Sequence, residues 1–146
     1  MSLTRRFIRE TIFKILFYLE FLDVFKYQKK KYKEFILNYL ENFVELDKID
    51  SIINDEYYIK MIDGMYDKYK YLRDIIVKYA PSWPIDNISE IDRSILYIGI
   101  YEILFVDSVP EIVSINEGVE IAKKYGSDNS SKFINGLLNS VMRKEK

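Results

Sequence analysis

The sequence predicts an all-α fold, and three observations support this prediction. Apolar residues recur at steps of three and four along most of the 146-residue chain, which is the spacing of one helix face. Prolines and glycines that end helices separate these apolar stretches. No stretch alternates apolar and polar residues in the manner of a half-buried strand. We therefore expect a single helical domain over residues 1–146, with about seven helices.

The first half of the chain carries three amphipathic patterns, which predict an N-terminal three-helix unit over about residues 1–80. The third pattern must end near Ala80, because Pro81 disfavours helical geometry in the residue before it. The apolar positions of the three predicted helices are Ile8, Ile12, Ile15, Leu19 and Leu22; Ile36, Tyr39, Leu40, Phe43 and Val44; and Ile59, Ile62, Tyr66, Tyr69, Leu72 and Ile76.

The remaining residues, about 81–146, predict a C-terminal helical unit on which the N-terminal unit packs. A long helix from about Ser89 to Phe105 begins with an approximate capping box, in which Asp92 follows Ser89 by three positions. A second capping-box pattern at 114–117 predicts the start of another helix. Gly126 is expected to end that helix in the left-handed conformation, and a last helix follows over about 129–142.

The composition excludes several kinds of chemistry. The chain has neither cysteine nor histidine, which removes disulfides, thiol nucleophiles and the commonest metal ligand. No signal peptide is readable, and the apolar stretch at 12–25 is too short and too charged to span a bilayer. The net charge of −1 hides a basic region: residues 1–33 carry nine Lys and Arg against three acids. Such a local excess favours polyanion binding.

Two basic segments are candidates for RNA binding. Arg5, Arg6 and Arg9 can share one face at the start of a helix, where a bound phosphate would meet both cations and free backbone N–H groups. Lysines alternate with tyrosines at 25–33, which suits phosphate attraction and base stacking. On spacing alone, a solvated helix end is favoured for the arginines, and a lysine-rich loop between helices is favoured for 25–33.

Other polar residues predict no catalytic centre. Asp86, Glu90 and Asp92 flank the start of the fourth long helix, and paired carboxylates can serve acid–base catalysis. Nothing nearby in the sequence supplies a nucleophile, a metal ligand or a phosphate loop, so we predict no catalytic residue, metal or cofactor. Gly136 costs its helix up to ~1 kcal/mol relative to Ala, and we interpret it as a point of close helix–helix approach.

Five motifs follow one another in the C-terminal half: IDRSIL at 91–96, YE at 101–102, VP at 109–110, VSINEGVEIAKKYG at 113–126 and KFINGLL at 132–138. In order and spacing this series resembles the NusB family of bacterial transcription antitermination factors. The resemblance covers roughly residues 83–142, with a weaker match at 5–18. It implies the same all-helical fold and a cytoplasmic RNA-binding adaptor that is not an enzyme.

The resemblance also implies site residues. NusB-like proteins have an arginine-rich N-terminus that contacts the boxA RNA element, and Arg5, Arg6 and Arg9 lie where that motif falls. The turn before the last helix lies near the RNA in this family, so Lys132 and Phe133 are candidates for phosphate and base contacts.

The family's protein partner is NusE, a small-subunit ribosomal protein. It binds an acidic surface together with an aromatic position of the first helix. The matching positions here are Asp86, Asp92 and Phe17, with Tyr18 adjacent. Phe17 stands where a tyrosine is usual, so this position offers no hydroxyl group to the partner.

By this resemblance, the chain binds boxA-like single-stranded RNA together with NusE and joins RNA polymerase and other Nus factors. The complex keeps ribosomal RNA transcription from terminating, and no membrane takes part. Monomer and homodimer both remain open. Two alternatives also remain. One is an RNA-targeting domain related to ribosomal RNA cytosine methyltransferases, and the other is a helical protein-interaction module without RNA binding.

Overall fold

The computed structural model describes residues 3–146, so residues 1 and 2 of the predicted domain lie outside the described part. Residues 3–146 contain eight α-helices, two short 3-10 turns and no strand, which confirms the all-α prediction with one helix more than expected. The helices are α1 Arg5–Phe21, α2 Lys29–Phe43, α3 Leu46–Ile53, α4 Glu56–Asp67, α5 Tyr69–Tyr79, α6 Glu90–Phe105, α7 Glu111–Tyr125 and α8 Ser130–Glu145, and the 3-10 turns are Val24–Lys26 and Ile85–Asn87.

The chain divides into a first unit, Met1–Tyr66, and a second unit, Asp67–Lys146. The predicted boundary near residue 80 was too late, because α5 packs against α6 and α8 of the second unit. The predicted third helix is also interrupted, at Lys68. The aromatic side chains on either side of this break pack in different units: Tyr66 contacts Tyr32, and Tyr69 contacts Tyr97.

A tyrosine cluster holds the first unit together where α2 begins. Tyr32 is fully buried, and its hydroxyl donates a hydrogen bond to the carbonyl oxygen of Ile62 at 2.7 Å. The Tyr66 ring lies 4.7 Å from the Tyr32 ring, and its hydroxyl donates to the carbonyl oxygen of Tyr27 at 2.6 Å. These bonds satisfy carbonyl groups at the two ends of the cluster and fix the start of α2 against α4.

Helix α6 forms the centre of the second unit. Every residue from Arg93 to Ile103 is buried, and α7 and α8 both pack against this helix. A Cβ atom at Gly99 would lie 2.7 Å from Leu138 Cδ1, so the glycine lets α8 approach α6 closely. The interpretation of Gly136 as such a contact was wrong, because a Cβ atom there would meet nothing within 4 Å.

The observed helix ends confirm one predicted cap and correct two others. The Asp92 backbone N–H donates to Ser89 Oγ at 3.1 Å, as the first capping pattern predicts. Helix α7 begins at Glu111, directly after Pro110 and before the second pattern, so Ser114 lies inside the helix. Its hydroxyl donates to buried Glu102 Oε1 at 2.8 Å instead of capping the helix. Gly126 follows α7 as predicted, but with an extended backbone (φ −87°). Glycine is needed there because Ser130 Cβ would lie 2.5 Å from an added Cβ.

The two helical glycines provide a matched stability test. Gly136→Ala should raise the free energy of unfolding by up to about 1 kcal/mol, because alanine favours the helix and has room. Gly99→Ala should lower it by roughly 1–3 kcal/mol, because Leu138 must move. Urea denaturation followed by circular dichroism measures both. Equal stabilities for Gly99→Ala and the unmodified protein would show that α8 does not depend on this close approach.

Candidate nucleic-acid and partner interface

The three N-terminal arginines occupy different environments on α1. Arg5 and Arg6 are exposed, whereas only 3% of Arg9 is exposed. The guanidinium carbons of Arg5 and Arg9 lie 4.3 and 5.5 Å from the centroid of the Tyr57 ring, within reach of cation–π attraction. The expectation of an all-exposed basic end was therefore wrong for Arg9, whose burial depends on a residue far away in the sequence. Buried Arg9 anchors α1, while the side chains of Arg5 and Arg6 are exposed at the helix end, although Arg5 also lies against Tyr57.

The N-terminus of α1 is suited to an anion. The Phe7 backbone N–H donates to Thr4 Oγ1 at 3.0 Å, and no acidic residue occupies the first turn. The helix dipole and the cations of Arg5 and Arg6 therefore add their positive potentials at this end of α1. A phosphate group would be attracted by both.

The lysine-rich segment at 25–33 is not a loop between helices, because α2 begins at Lys29. Several of its lysines face acids: Lys33 Nζ lies 2.8 Å from Asp63 Oδ1, Lys31 Nζ lies 3.7 Å from Glu34 Oε2, and Lys26 lies near Asp23. These exposed ion pairs contribute little stability, but they reduce the positive potential available to RNA. Arg5 and Arg6 are the stronger candidates in the first unit.

Two groups of aromatic residues lie on and beside α1, and we call them together the aromatic surface: Tyr18 packs with Tyr39 and Phe43, and Phe17 and Phe21 are exposed one helical turn apart on α1. The Tyr18 ring lies 5.3 Å from the Tyr39 ring and 6.3 Å from the Phe43 ring. Phe17, Phe21 and Phe43 are all exposed, at 39%, 78% and 67%. Sequence reasoning missed Phe21, although it follows Phe17 by one helical turn.

Asp86 and Asp92 differ sharply in exposure. The Asp86 side chain is 88% exposed, and its Oδ1 lies 3.6 Å from Arg73 Nη2. Asp92 lies in the first turn of α6, and its Oδ1 is buried without a hydrogen-bond partner. Burial raises the pKa of the Asp92 carboxyl group, and the Ser130 side chain opposes that shift. Asp86 is therefore exposed to a partner whereas Asp92 is recessed, and the two carboxylates do not form one exposed acidic surface.

Buried Arg93 positions the turn that carries Asp86. Its Nη1 donates hydrogen bonds to the carbonyl oxygens of Ile85 at 3.2 Å and Ile88 at 2.6 Å. These bonds hold the turn against α6. Sequence reasoning assigned no role to this arginine, although it falls within the IDRSIL motif.

A groove of about 430 Å³ lies beside the N-terminal ends of α6 and α8, and we call it the α6–α8 groove. It brings Asp92 and Phe133 together, although the family resemblance assigned them to different partners. Lys132 is exposed in the first turn of α8 and is not among the lining residues. The lining residues are Trp83, Asn87, Ile88, Ser89, Ile91, Asp92, Gly126, Ser127, Asn129 and Phe133.

Of the ten lining residues, sequence reasoning gave a binding role only to Asp92 and Phe133, and it missed exposed Trp83. Trp83 is the single tryptophan of the chain, and 57% of it is exposed. An exposed tryptophan is a recognisable sign of a binding surface once exposure is known. The sequence alone does not reveal that exposure.

The described residues contain neither a candidate metal site nor a candidate membrane-spanning helix. Within residues 3–146, no group of His, Cys, Asp or Glu is arranged to hold a metal ion. None of the helices in this part of the chain has the length and apolar character needed to cross a membrane.

Fold and site together define an all-helical binding protein with a basic helix end, an aromatic surface and a polar–aromatic groove. A family model described as the NusB family matches residues 6–143. The chain therefore belongs to the NusB family of transcription antitermination factors, which are not enzymes. The resemblance noted in the sequence motifs is thus confirmed.

Individual relatives agree with this assignment. The transcription antitermination protein NusB of Ruminiclostridium cellulolyticum is 45% identical over 140 residues, which span 95% of this chain and 88% of the relative. The protein of the same name from Clostridium novyi is 32% identical over 142 residues, spanning 97% and 99% of the two chains.

Solved structures show the same fold. T. maritima NusB superimposes with a TM-score of 0.78 at 31% identity, covering 99% of this chain and 94% of that one. A chain in the crystal structure of a plectonemic RNA supercoil gives a TM-score of 0.72 at 25% identity, covering 97% and 95%.

Arg9 and Arg6 should differ in their effect on stability. Arg9→Ala should lower the free energy of unfolding by about 1–2 kcal/mol, because the substitution removes a buried cation–π interaction with Tyr57. Arg6→Ala should change it by less than about 0.5 kcal/mol, because Arg6 is exposed. Urea denaturation of both variants gives the comparison. Equal decreases in stability would contradict the anchoring role of Arg9.

Proposed function

We propose that this chain binds boxA-like single-stranded RNA together with NusE and so promotes processive transcription of ribosomal RNA operons. It acts in the cytoplasm, within the antitermination complex of RNA polymerase and other Nus factors. The observation that carries the proposal is the pair of exposed arginines at the acid-free N-terminus of α1, in a chain of the NusB family.

Phosphate attraction is the first part of the mechanism. Arg5 and Arg6 extend a helix end that already attracts anions, so they suit a contact with the RNA backbone. Arg9 supports this contact by anchoring α1 on Tyr57 rather than by reaching the RNA freely. Lys132 offers a second cation in the first turn of α8, which also lacks acidic residues. Phe133, next to it, contributes an aromatic face for a base.

Partner binding is the second part of the mechanism. The aromatic surface around Phe17 and Tyr18 offers exposed apolar rings of the kind that anchor protein interfaces. The Tyr18 hydroxyl accepts a hydrogen bond from Asn38 Nδ2 at 3.2 Å, and its O–H group can still donate a hydrogen bond to NusE. Exposed Asp86 adds a carboxylate for a basic side chain of NusE. Asp92 is recessed and reaches only a group that enters the groove.

Assembly follows from coupled binding. If NusE raises the affinity for RNA by some factor, RNA must raise the affinity for NusE by the same factor. A homodimer formed through the aromatic surface would compete with NusE, so NusE should dissociate it.

The arginine contact is tested by salt dependence. The double variant Arg5→Ala/Arg6→Ala should bind boxA-like RNA more weakly, with a log–log salt slope lowered by about 0.7 for each phosphate that is no longer neutralised. Fluorescence anisotropy of labelled RNA at several salt concentrations gives the slope. The variant Arg143→Ala/Lys144→Ala is the matched control, because it removes two exposed cations from the C-terminal end of α8, opposite the end that carries Lys132. A slope unchanged by the arginine variant, or lowered equally by the control, would refute the contact.

The partner contact is tested by charge reversal. Asp86→Lys should weaken NusE binding by on the order of 1 kcal/mol, because an exposed carboxylate at an interface rim becomes a repelling cation. Affinity of the isolated chain for RNA should stay the same or rise slightly. Calorimetry with NusE and anisotropy with RNA measure the two effects. Glu120→Lys on α7 is the control reversal at another exposed position. Unchanged NusE binding by Asp86→Lys would place the interface elsewhere.

A further inference from the structure

A cleft in the first unit lies between α2 and α4, and we call it the α2–α4 cleft. The Tyr32 hydroxyl, which bonds to the carbonyl oxygen of Ile62, holds the two helices together beside it. Its volume of about 230 Å³ is below the usual range of small-molecule pockets, so it suits a few side chains of a larger partner. The lining residues are Lys33, Ile36, Leu37, Leu40, Ile53, Tyr58, Ile59, Ile62 and Asp63.

The cleft leaves large aliphatic side chains open to solvent. Leu37 is 48% exposed, Ile53 40% and Ile59 44%, and the three come from three different helices. The buried lining residues form an uncharged floor, because burial and the charge of Asp63 both raise the pKa of the Tyr58 hydroxyl. Three aliphatic side chains that converge on one cleft form an apolar patch of the kind that a protein partner covers.

Acidic residues stand around these aliphatic side chains. On each of the three helices, an exposed acid lies one helical turn from the exposed aliphatic residue of the cleft. These acids are Glu41 on α2, Asp50 on α3 and Glu56 on α4. The lysine that lines the cleft, Lys33, is paired with Asp63 at 2.8 Å. Residues 41–60 carry six acids against two lysines, so the rim attracts a basic partner and repels RNA phosphates.

The spacing of the lining residues suits a helical partner. On α2 they fall at 33, 36, 37 and 40, and on α4 at 58, 59, 62 and 63, so each helix presents a row at steps of three and four. Such rows receive the apolar face of an amphipathic helix, whose anchors recur at the same steps. An extended peptide would need the free edge of a sheet, and residues 3–146 contain no strand.

We propose that the α2–α4 cleft binds a basic amphipathic helix of a protein partner, whose apolar side chains contact Leu37, Ile53 and Ile59 and whose cations face the acidic rim. The aromatic surface uses Tyr39 and Phe43, which lie on a different face of α2 from Leu37. The cleft therefore adds a protein-binding site that is independent of the RNA and NusE contacts proposed above.

Two synthetic peptides provide the probe. Both carry leucines at positions i, i+3, i+4 and i+7 of a helix, and their other positions hold alanine with either lysine or glutamate. Anisotropy of the labelled peptides should show that the lysine peptide binds roughly tenfold more tightly at low salt, with a smaller difference at high salt. Equal binding of the two peptides, or binding of neither, would overturn the proposal.

The apolar contact is tested without a change in charge. Leu37→Gln should weaken binding of the lysine peptide roughly tenfold, because glutamine cannot replace the buried apolar contact. Val77→Gln is the matched control, since Val77 on α5 is also an aliphatic residue that is 48% exposed. Circular dichroism checks that both variants keep their helicity. Equal weakening by the two variants would show that the peptide does not use the cleft.

The acidic rim is tested by neutralisation. Glu41→Gln/Glu56→Gln should weaken binding of the lysine peptide roughly threefold at low salt and much less at high salt, because exposed charges are screened. Asp74→Asn/Glu120→Gln removes the same charge from exposed positions of the second unit. If this control weakened binding as much, the peptide would respond only to the net charge of the chain, and the rim would have no role.

Competition and oligomeric state separate the other occupants. Saturating NusE should leave the affinity for the lysine peptide unchanged, and displacement of the peptide by NusE would assign the cleft to that partner. Sedimentation should be the same for Leu37→Gln and the unmodified chain, whereas a dimer that this variant dissociates would place a second copy in the cleft. Failure of RNA and NusE binding with peptide binding retained would refute the proposed function and leave this inference standing.

Discussion

The close approach of α8 to α6 is the constraint on which the second unit depends. It depends on glycine at position 99, because a Cβ atom there would lie 2.7 Å from Leu138 Cδ1 and would force that side chain to move. This contact sets the spacing of two helices whose N-terminal ends border the groove. Since core atoms pack at nearly crystalline density, a small displacement of α8 would change the distance between Asp92 and Phe133. The geometry of the candidate site is therefore set in the apolar core.

The sequence correctly predicted the structural features that depend on residues close together in the chain. The cap at Ser89 and the end of α6 at Phe105 were correct, because the Ser89 hydroxyl bonds an N–H group three positions away. The predicted cap at Ser114 failed because its hydroxyl bonds to Glu102 on another helix. The break at Lys68 was missed for a related reason: the apolar pattern continues across it, and only tertiary packing shows that its two sides bury in different units.

The residues of the candidate site show the same difference between features set by local sequence and features set by tertiary contacts. Arg5 and Arg6 could be placed at a helix end from spacing alone, and the structure leaves them exposed there. The burial of Arg9 could not be predicted, because it involves Tyr57 on α4. The groove could not be predicted either, since it joins a turn near Trp83 to the start of α8. The sequence motifs were sufficient to predict the family, but only the structure shows which candidate residues lie close together.

The stacking of Arg5 on Tyr57 has a consequence for how tightly a ligand can be held. An arginine on a free helix end samples many rotamers and must give up this freedom when it grips a phosphate. The guanidinium of Arg5 already lies 4.3 Å from the ring centroid, so much of that entropy has been given up during folding. Lys132, exposed in the first turn of α8, must be ordered at the moment of binding. Arg5 is thus preorganised, and a phosphate contact made by its guanidinium would gain affinity by avoiding an ordering cost rather than by adding new interactions.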